Sequence, residues 1–296
     1  MHLLLGHPDD LCCAGVRSRL EARGFDVRIL PKPLEPPARL TWRLDADGVT
    51  SSLFPGTPDT KIDGVLVRDT GWLDPEGWAP SDHAYMQAEV RAVMLAWLAG
   101  LACPVINRPI AAHWYGVGAP ILAWRRLLSL SGLPLPRLVV TSDPDEARAF
   151  RRSLAADGVS GAVYGPLTGA AGYLLADDDA WGRLAALQDQ GAPVCLTEPH
   201  GPVTLACVVG AEVVWDAAPD RGTALLEPAL IRFAASAGLT FVEIGIAPVH
   251  AGPAVVLVEP RPQLEHFSPS ARHRILDAVA SRLAPAFAPD ALAVPA

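Results

Sequence analysis

The stretch TFVEIGIAPVHAGPAVVLVEPRPQLEHF, residues 240–267, holds two apolar runs, TFVEIGI and AVVLVEP, and then sets Glu259, Arg261, Glu265 and His266 within eight positions. Short runs rich in Val and Ile, bounded by Gly and Pro, read as buried strands. GAVYGPL (161–167), PVCLTE (193–198) and VTLACVVGAEVVW (203–215) carry the same signature further back. The second half of the chain is therefore expected to form an antiparallel sheet with flanking helices, an α+β arrangement. SARHRILDAVASRLAPAF (270–287) closes it as an amphipathic helix with Ile275, Leu276, Val279 and Leu283 on its apolar face. Pro285 and Pro289 end that helix, and the tail to Ala296 is expected to be loose.

The first half has a different grammar. MHLLLG is a short apolar run; DDLCCAGVRSRLEARG places Leu11, Val16 and Leu20 at helical spacing before Gly24; FDVRIL alternates like a strand. Strand, helix and strand in that order imply a right-handed parallel unit, with the loop GHPDD at the carboxyl end of the first strand. LTWRLDADG reads as part of a hairpin or extended connection. DGVLVR is a buried strand, HAYMQAEVRAVMLAWLAG a long helix with Met86, Val90, Val93, Met94 and Trp97 inward, and PVIN a further strand. The predicted fold class is α/β and α+β: a Rossmann-like N-terminal domain over residues 1–108, then residues 109–296 with a small subdomain at about 119–200 and a C-terminal one at about 201–285. The opening loop lacks the further glycines of a dinucleotide fingerprint, which argues against a Rossmann cofactor site.

Composition excludes several functions. Among 296 residues, 24 are basic and 32 acidic, a net charge of −8, and a phosphate backbone is repelled by that balance. Lys32 and Lys61 are the two lysines, so lysine chemistry is excluded from the rest of the chain. The strongly apolar, uncharged stretch at residues 92–106 is too short to cross a membrane and contains Pro104. The amino end lacks the pattern of a signal peptide, which gives a cytoplasmic expectation. Five cysteines without a C-x-x-C spacing fit buried thiols in a reducing compartment; Cys12 and Cys13, after a loop, stay open.

The order of these segments resembles the ATP-grasp superfamily, in particular the ligases that mature ribosomal peptides and the relatives that add glutamate to protein tails. VINRP followed by GLPLPRLVVTSDPDEARAF is similar to the entry into that family's nucleotide-binding half. AVYGPLTGAAGYLLADDD resembles its lysine-bearing strand and glycine loop, APVCLTEPHGPVTLACVVGAEVVW its adenine-side and arginine strands, and residues 238–267 its metal-binding strand pair. The resemblance implies lysines and an arginine on the phosphates of ATP, and Asp, Glu and Asn oxygens on magnesium. Along it those positions are lost: Ala119 and Gly165 stand for the two lysines, Leu205 for the arginine, Gly245 for the aspartate and Arg261 for the asparagine. Glu259 survives, as does Glu198 in the adenine-side stretch. A guanidinium cannot ligate magnesium, so Arg261 is expected to neutralise Glu259 as an internal ion pair, although a solvated strand end accounts for the same residues.

Other positions have competing roles. His7, with Asp9 and Asp10, lies at a strand end where ligands bind, although either Asp also suits a helix cap. Asn107, Arg108, His113, Trp114 and Tyr115 fall near the expected domain junction, where pocket and packing are equally served. Arg125 and Arg126 could meet phosphates or solvent. Glu265, His266 and His273 lack the spacing of a metal site.

The first expectation is a degenerate ATP-grasp protein that is not a ligase, needs no cofactor, and binds a peptide, a small molecule or a paralogous subunit, with His7, Asn107, His113, Tyr115 and His200 as possible ligand-cleft residues. A homo- or hetero-oligomer such as a dimer is compatible with the 50% apolar content. The alternative is an active ATP-dependent carboxylate-amine ligase using ATP and Mg, with Glu198, Arg125 and Arg126 on the nucleotide and Glu243 and Glu259 on the metal. A third is an enzyme of another class reusing the cleft through His7, Cys12, His113 or His200.

Overall fold

The computed structural model describes residues 1–31, 39–45, 48–54, 62–69, 73–109, 121–165 and 172–284. In chain order the elements are β1 (His2–Leu5), α1 (Leu11–Ala22), β2 (Val27–Leu30), β3 (Thr41–Asp45), β4 (Gly48–Ser52), β5 (Gly64–Val67), α2 (Pro80–Gly100) and β6 (Val105–Ile106). They continue with α3 (Ile121–Leu130), β7 (Leu138–Thr141), α4 (Pro144–Ala156), β8 (Ala162–Gly165), β9 (Tyr173–Leu175), α5 (Asp178–Gln188) and β10 (Val194–Thr197). The last are β11 (Thr204–Val209), β12 (Glu212–Trp215), the single turn α6 (Arg221–Ala224), α7 (Glu227–Ser236), β13 (Phe241–Val249), β14 (Gly252–Glu259), a 3-10 turn at Leu264–His266 and α8 (Pro269–Leu283). The architecture is mixed α/β with several antiparallel sheets.

The chain divides into two compact units, one of Met1–Trp114, Gly238–Phe241 and Leu264–Ala296, the other of Tyr115–Ala237 and Val242–Gln263. Unit 1 is built on a parallel sheet of order β2-β1-β5-β6. Its central strands β1 and β5 are buried along their whole length, as a sheet covered on both sides requires. Leu3, Leu5, Val65 and Val67 join Val90, Met94 and Trp97 of α2 in one core. The hairpin expected around LTWRLDADG is the antiparallel pair β3–β4.

This division differs from the 1–108 and 109–296 expected from sequence, most at the carboxyl end. The closing helix α8, assigned from sequence to the C-terminal subdomain, belongs to unit 1. Gly15 is the cause on α1: a Cβ there would stand 2.5 Å from Leu276 Cδ1, so its absence lets the two helices meet. Arg19 adds an ion pair to Asp277 and a 2.8 Å contact to Nδ1 of His273. The tail expected to be loose, with Pro285 and Pro289, lies outside the described residues.

Unit 2 contains two four-stranded sheets, β7-β10-β8-β9 and β12-β11-β13-β14. The first is antiparallel throughout, and α4 and α5 cover it through Ala147, Leu154, Trp181 and Leu184. Asp143 caps α4 by accepting from Asp145 N at 2.8 Å. On the second sheet, Phe233 of α7 meets Trp124 of α3 edge to face, and Trp215 donates to Glu227 at 2.6 Å.

Candidate functional site

β13 and β14 pair antiparallel with Glu243 opposite Glu259 and Gly245 opposite Leu257. The register slips after Gly245, where Ile246 meets Val255, so Val256 is a bulged extra residue on β14. Side chains two apart on a strand share a face. Glu243, Gly245, Glu259 and Leu257 therefore lie together. Glu243 is fully buried, and its Oε2 accepts from Gln263 N at 2.8 Å. Glu259 is half-buried, and its Oε1 accepts from Arg261 N at 2.9 Å. Residues 260–263 are thus wound back over the two carboxylates by main-chain N–H groups.

This corrects the expected ion pair. Glu259 takes the backbone N–H of Arg261, not its guanidinium, and among the described residues the exposed Arg261 side chain makes no ion pair. The N–H two residues on is already positioned, whereas fixing an arginine side chain costs up to about 2 kcal/mol of rotamer entropy.

Gly245 stands where the resemblance expects a metal-binding aspartate, and the space for one is filled. A Cβ on Gly245 would lie 2.8 Å from Val203 Cγ1 and 2.9 Å from Leu257 Cβ. Gly165 and Leu205, at a lysine and the arginine position, are both half-buried in β8 and β11. Ala119 lies outside the described residues. Two carboxylates can hold magnesium when phosphates supply further oxygens, but nothing described here offers the phosphates a lysine. The described residues at this strand pair do not by themselves fit a magnesium nucleotide.

Glu198 is occupied elsewhere. It is 2% exposed, accepts from Arg137 N and Nε at 3.2 Å each and from His250 N at 3.0 Å, and so ties the start of β7 and the β13–β14 turn to the end of β10. Burial works against its charge, but the Arg137 guanidinium and these N–H groups outweigh it and hold the carboxyl below the usual glutamate range. Arg137, which also reaches Asp157 at 2.6 Å, went unnoticed in the sequence. Arg125 donates Nη2 to Pro136 O at 2.7 Å, and burial lowers its pKa; Arg126 is exposed.

Of the possible ligand-cleft residues, His7, Asn107 and His200 lie among the described residues. His7 is exposed and accepts from Asp9 N through Nδ1 at 3.3 Å. His200, also exposed, has Nδ1 2.8 Å from Gly201 O. His113, Trp114 and Tyr115 lie outside the described residues. Asn107 is consumed structurally: Oδ1 accepts from Thr240 N and Phe241 N, and Nδ2 donates to Phe241 O at 2.6 Å. Cys12 is buried, and burial pushes its thiol up to about 12, which removes it as a nucleophile at neutral pH. Among the described residues no three His, Cys, Asp or Glu side chains gather as a metal cluster.

Comparison with known proteins gives no matching family model and no matching curated protein. Solved structures do match along nearly the whole chain. The macrocyclase MdnC of Microcystis aeruginosa MRC, bound with precursor peptide MdnA, is 16% identical with a TM-score of 0.72, covering 96% of this chain and 99% of that one. A RiPP-associated ATP-grasp ligase of Chryseobacterium gregarium, in complex with ADP and a leader and core peptide, is 14% identical with a TM-score of 0.71, covering 95% and 96%. The ATP-grasp ligase PsnB, complexed with minimal precursor, Mg and ADP, is 21% identical with a TM-score of 0.70, covering 95% and 97%. At identities this low the likeness shows the fold alone.

Proposed function

We propose, from an ATP-grasp fold held in common with peptide-modifying ligases, that this protein is a degenerate member of that fold, which binds a peptide in a maturation setting and does not ligate it. The observation that carries the proposal is Gly245, where an aspartate is replaced and its space closed by Val203 and Leu257. Leu205 and Gly165 in place of phosphate-binding cations, and Arg261 in place of an asparagine, support it. A peptide is preferred to a small molecule or a paralogous subunit because MdnC, PsnB with precursor peptide PsnA2, and the Chryseobacterium ligase are bound to peptides. The four-stranded parallel sheet supports reading the N-terminal part as a Rossmann-like domain ahead of the ATP-grasp part. Five free cysteines support a reducing, cytoplasmic place of work. Among the described residues no helix is long and apolar enough to cross a membrane.

Isothermal calorimetry with ATP, ADP and magnesium tests it. No saturable heat is the expected result, and micromolar nucleotide binding overturns the proposal. The register of Glu243 against Glu259 favours one rival, an active ATP-dependent carboxylate-amine ligase with both carboxylates on magnesium. That rival requires the micromolar binding, and it requires Glu259→Gln to abolish it.

A further inference from the structure

β1 and β5 lie side by side and parallel in unit 1, and the residues that follow their carboxyl ends are Gly6 and Arg68. The order β2-β1-β5-β6 reverses between these two strands, since the chain first builds outward from β1 to β2 and then on the other side to β5 and β6. At such a reversal the connections leave in opposite directions, and ligands of open parallel sheets bind beyond the strand ends there. The first of these connections runs through residues 6–10 into the 12-residue helix α1, whose leading N–H groups carry partial positive charge.

Arg68 is drawn to that helix end with its side chain only 8% exposed. Its Nε and Nη2 donate to Asp10 at 3.4 and 3.0 Å, and the same carboxylate accepts from Cys13 N at 2.8 Å as the cap of α1. Nη1 is buried and, among the described residues, has no hydrogen-bond partner. A Cβ on Gly6 would lie 2.9 Å from Arg68 Cβ and 2.8 Å from Cys13 Sγ, so the stem of Arg68 passes this close to the start of α1 only because residue 6 is glycine. Most buried polar nitrogens are satisfied. A fixed guanidinium with one idle nitrogen, beside a helix amino end at the switch point of the sheet, has the chemistry to take an anionic oxygen.

We infer that Arg68 and the amino end of α1 form a subsite for a carboxylate group of a bound peptide. The inference rests on the peptide-binding part of the function proposed above and is independent of nucleotide. Asp10 already balances most of the arginine charge, so the subsite suits a singly charged carboxylate better than a phosphate.

The test uses the full chain, 15N-labelled, titrated with N-acetyl-glutamate methylamide and, separately, with its glutamine counterpart. The glutamate probe shifts the Arg68 Nε–H signal and the amides of Leu11, Cys12 and Cys13 saturably; the glutamine probe does not. Arg68→Lys keeps the charge, loses the fork and binds about tenfold more weakly. Asp10→Asn preserves a good helix cap, removes the competing carboxylate and binds about tenfold more tightly, a gain that a purely structural ion pair would not produce. Equal shifts with both probes, or an Asp10→Asn affinity equal to that of the parent, overturn the inference. Either result leaves the calorimetric outcome for ATP untouched, so the two proposals fail separately.

Discussion

Glu243 and Glu259 face each other across the β13–β14 ladder, and the next pair on the same face, Gly245 and Leu257, closes the place where a third acidic side chain would stand. Val203 is 42% exposed and able to turn away, whereas Leu257 Cβ moves only with its strand. A strand glycine replaced by alanine ordinarily gains about 0.5–1 kcal/mol. Here Gly245→Ala is expected to lose about 1–3 kcal/mol through overpacking. Val203→Ala should recover part of that loss in a double-mutant cycle followed by urea unfolding. A neutral or stabilising Gly245→Ala would mean that the space is open after all. By the same reasoning, Gly245→Asp with Arg261→Asn gains magnesium affinity only when Val203→Ala accompanies them, as calorimetry with MgCl2 would read.

The Glu198–Arg137 pair makes a pH-dependent contribution whose sign follows from the lowered carboxyl. A depressed folded pKa stabilises above the unfolded value, about 4.3 for glutamate, and that stability disappears as pH falls through the folded value. Glu198→Gln is expected to cost about 2 kcal/mol at pH 7, since Arg137 is 34% exposed on its side chain and retains Asp157. The difference from the parent should shrink as unfolding is repeated at pH 4 and pH 3. A gap independent of pH would assign the loss to packing.

Local periodicity made much of the fold legible in the sequence. The apolar positions of α8 (Ile275, Leu276, Val279 and Leu283) and those of α2 at Val90, Met94 and Trp97 are buried as read, because a helix face repeats within a few residues. Val93 and Leu11 each came out 37% exposed, since spacing alone does not say how wide the covered stripe is. The packing of α8 on α1 was hidden because it depends on Gly15, whose meaning appears only when Leu276 is brought against it. Arg108 read as a cation near a junction. It instead donates to the carbonyls of Leu98, Ala99, Leu101 and Cys103, closing the end of α2, which has no basic residue in its last turn. The resemblance drew attention to Gly245 as the place of an expected aspartate, but the filling of the space there by Val203 was not legible, since Val203 lies on a different stretch of chain.

Thiol reactivity separates burial from chemistry. Cys12, Cys13, Cys195 and Cys207 are buried and Cys103 partly so. Burial pushes the Cys12 thiol up to about 12 and the Cys13 and Cys195 thiols upward as well. With iodoacetamide at pH 8, mass spectrometry should find Cys103 modified first and Cys12 protected until denaturant is added. Rapid native modification of Cys12 would revive it as a candidate nucleophile.

Asn107 sits at φ 54°, in the left-handed region that side chains other than Asn and Asp avoid, and its amide holds Thr240 and Phe241 at the entry to β13. Two costs are therefore superposed there and separable by substitution. Asn107→Gly keeps the backbone and loses the side-chain bonds, leaving N–H groups of residues 240 and 241 to find other partners, at about 2 kcal/mol. Asn107→Ala loses the same bonds and adds about 1 kcal/mol for an alanine in the left-handed region. Asn107→Asp retains the acceptor for Thr240 N and Phe241 N while losing the donor to Phe241 O, so it should be the mildest of the three. Urea unfolding is expected to rank stability as Asn, Asp, Gly, Ala from highest to lowest. If alanine is no worse than glycine, the left-handed backbone carries no strain and the hydrogen bonds alone keep asparagine at this position.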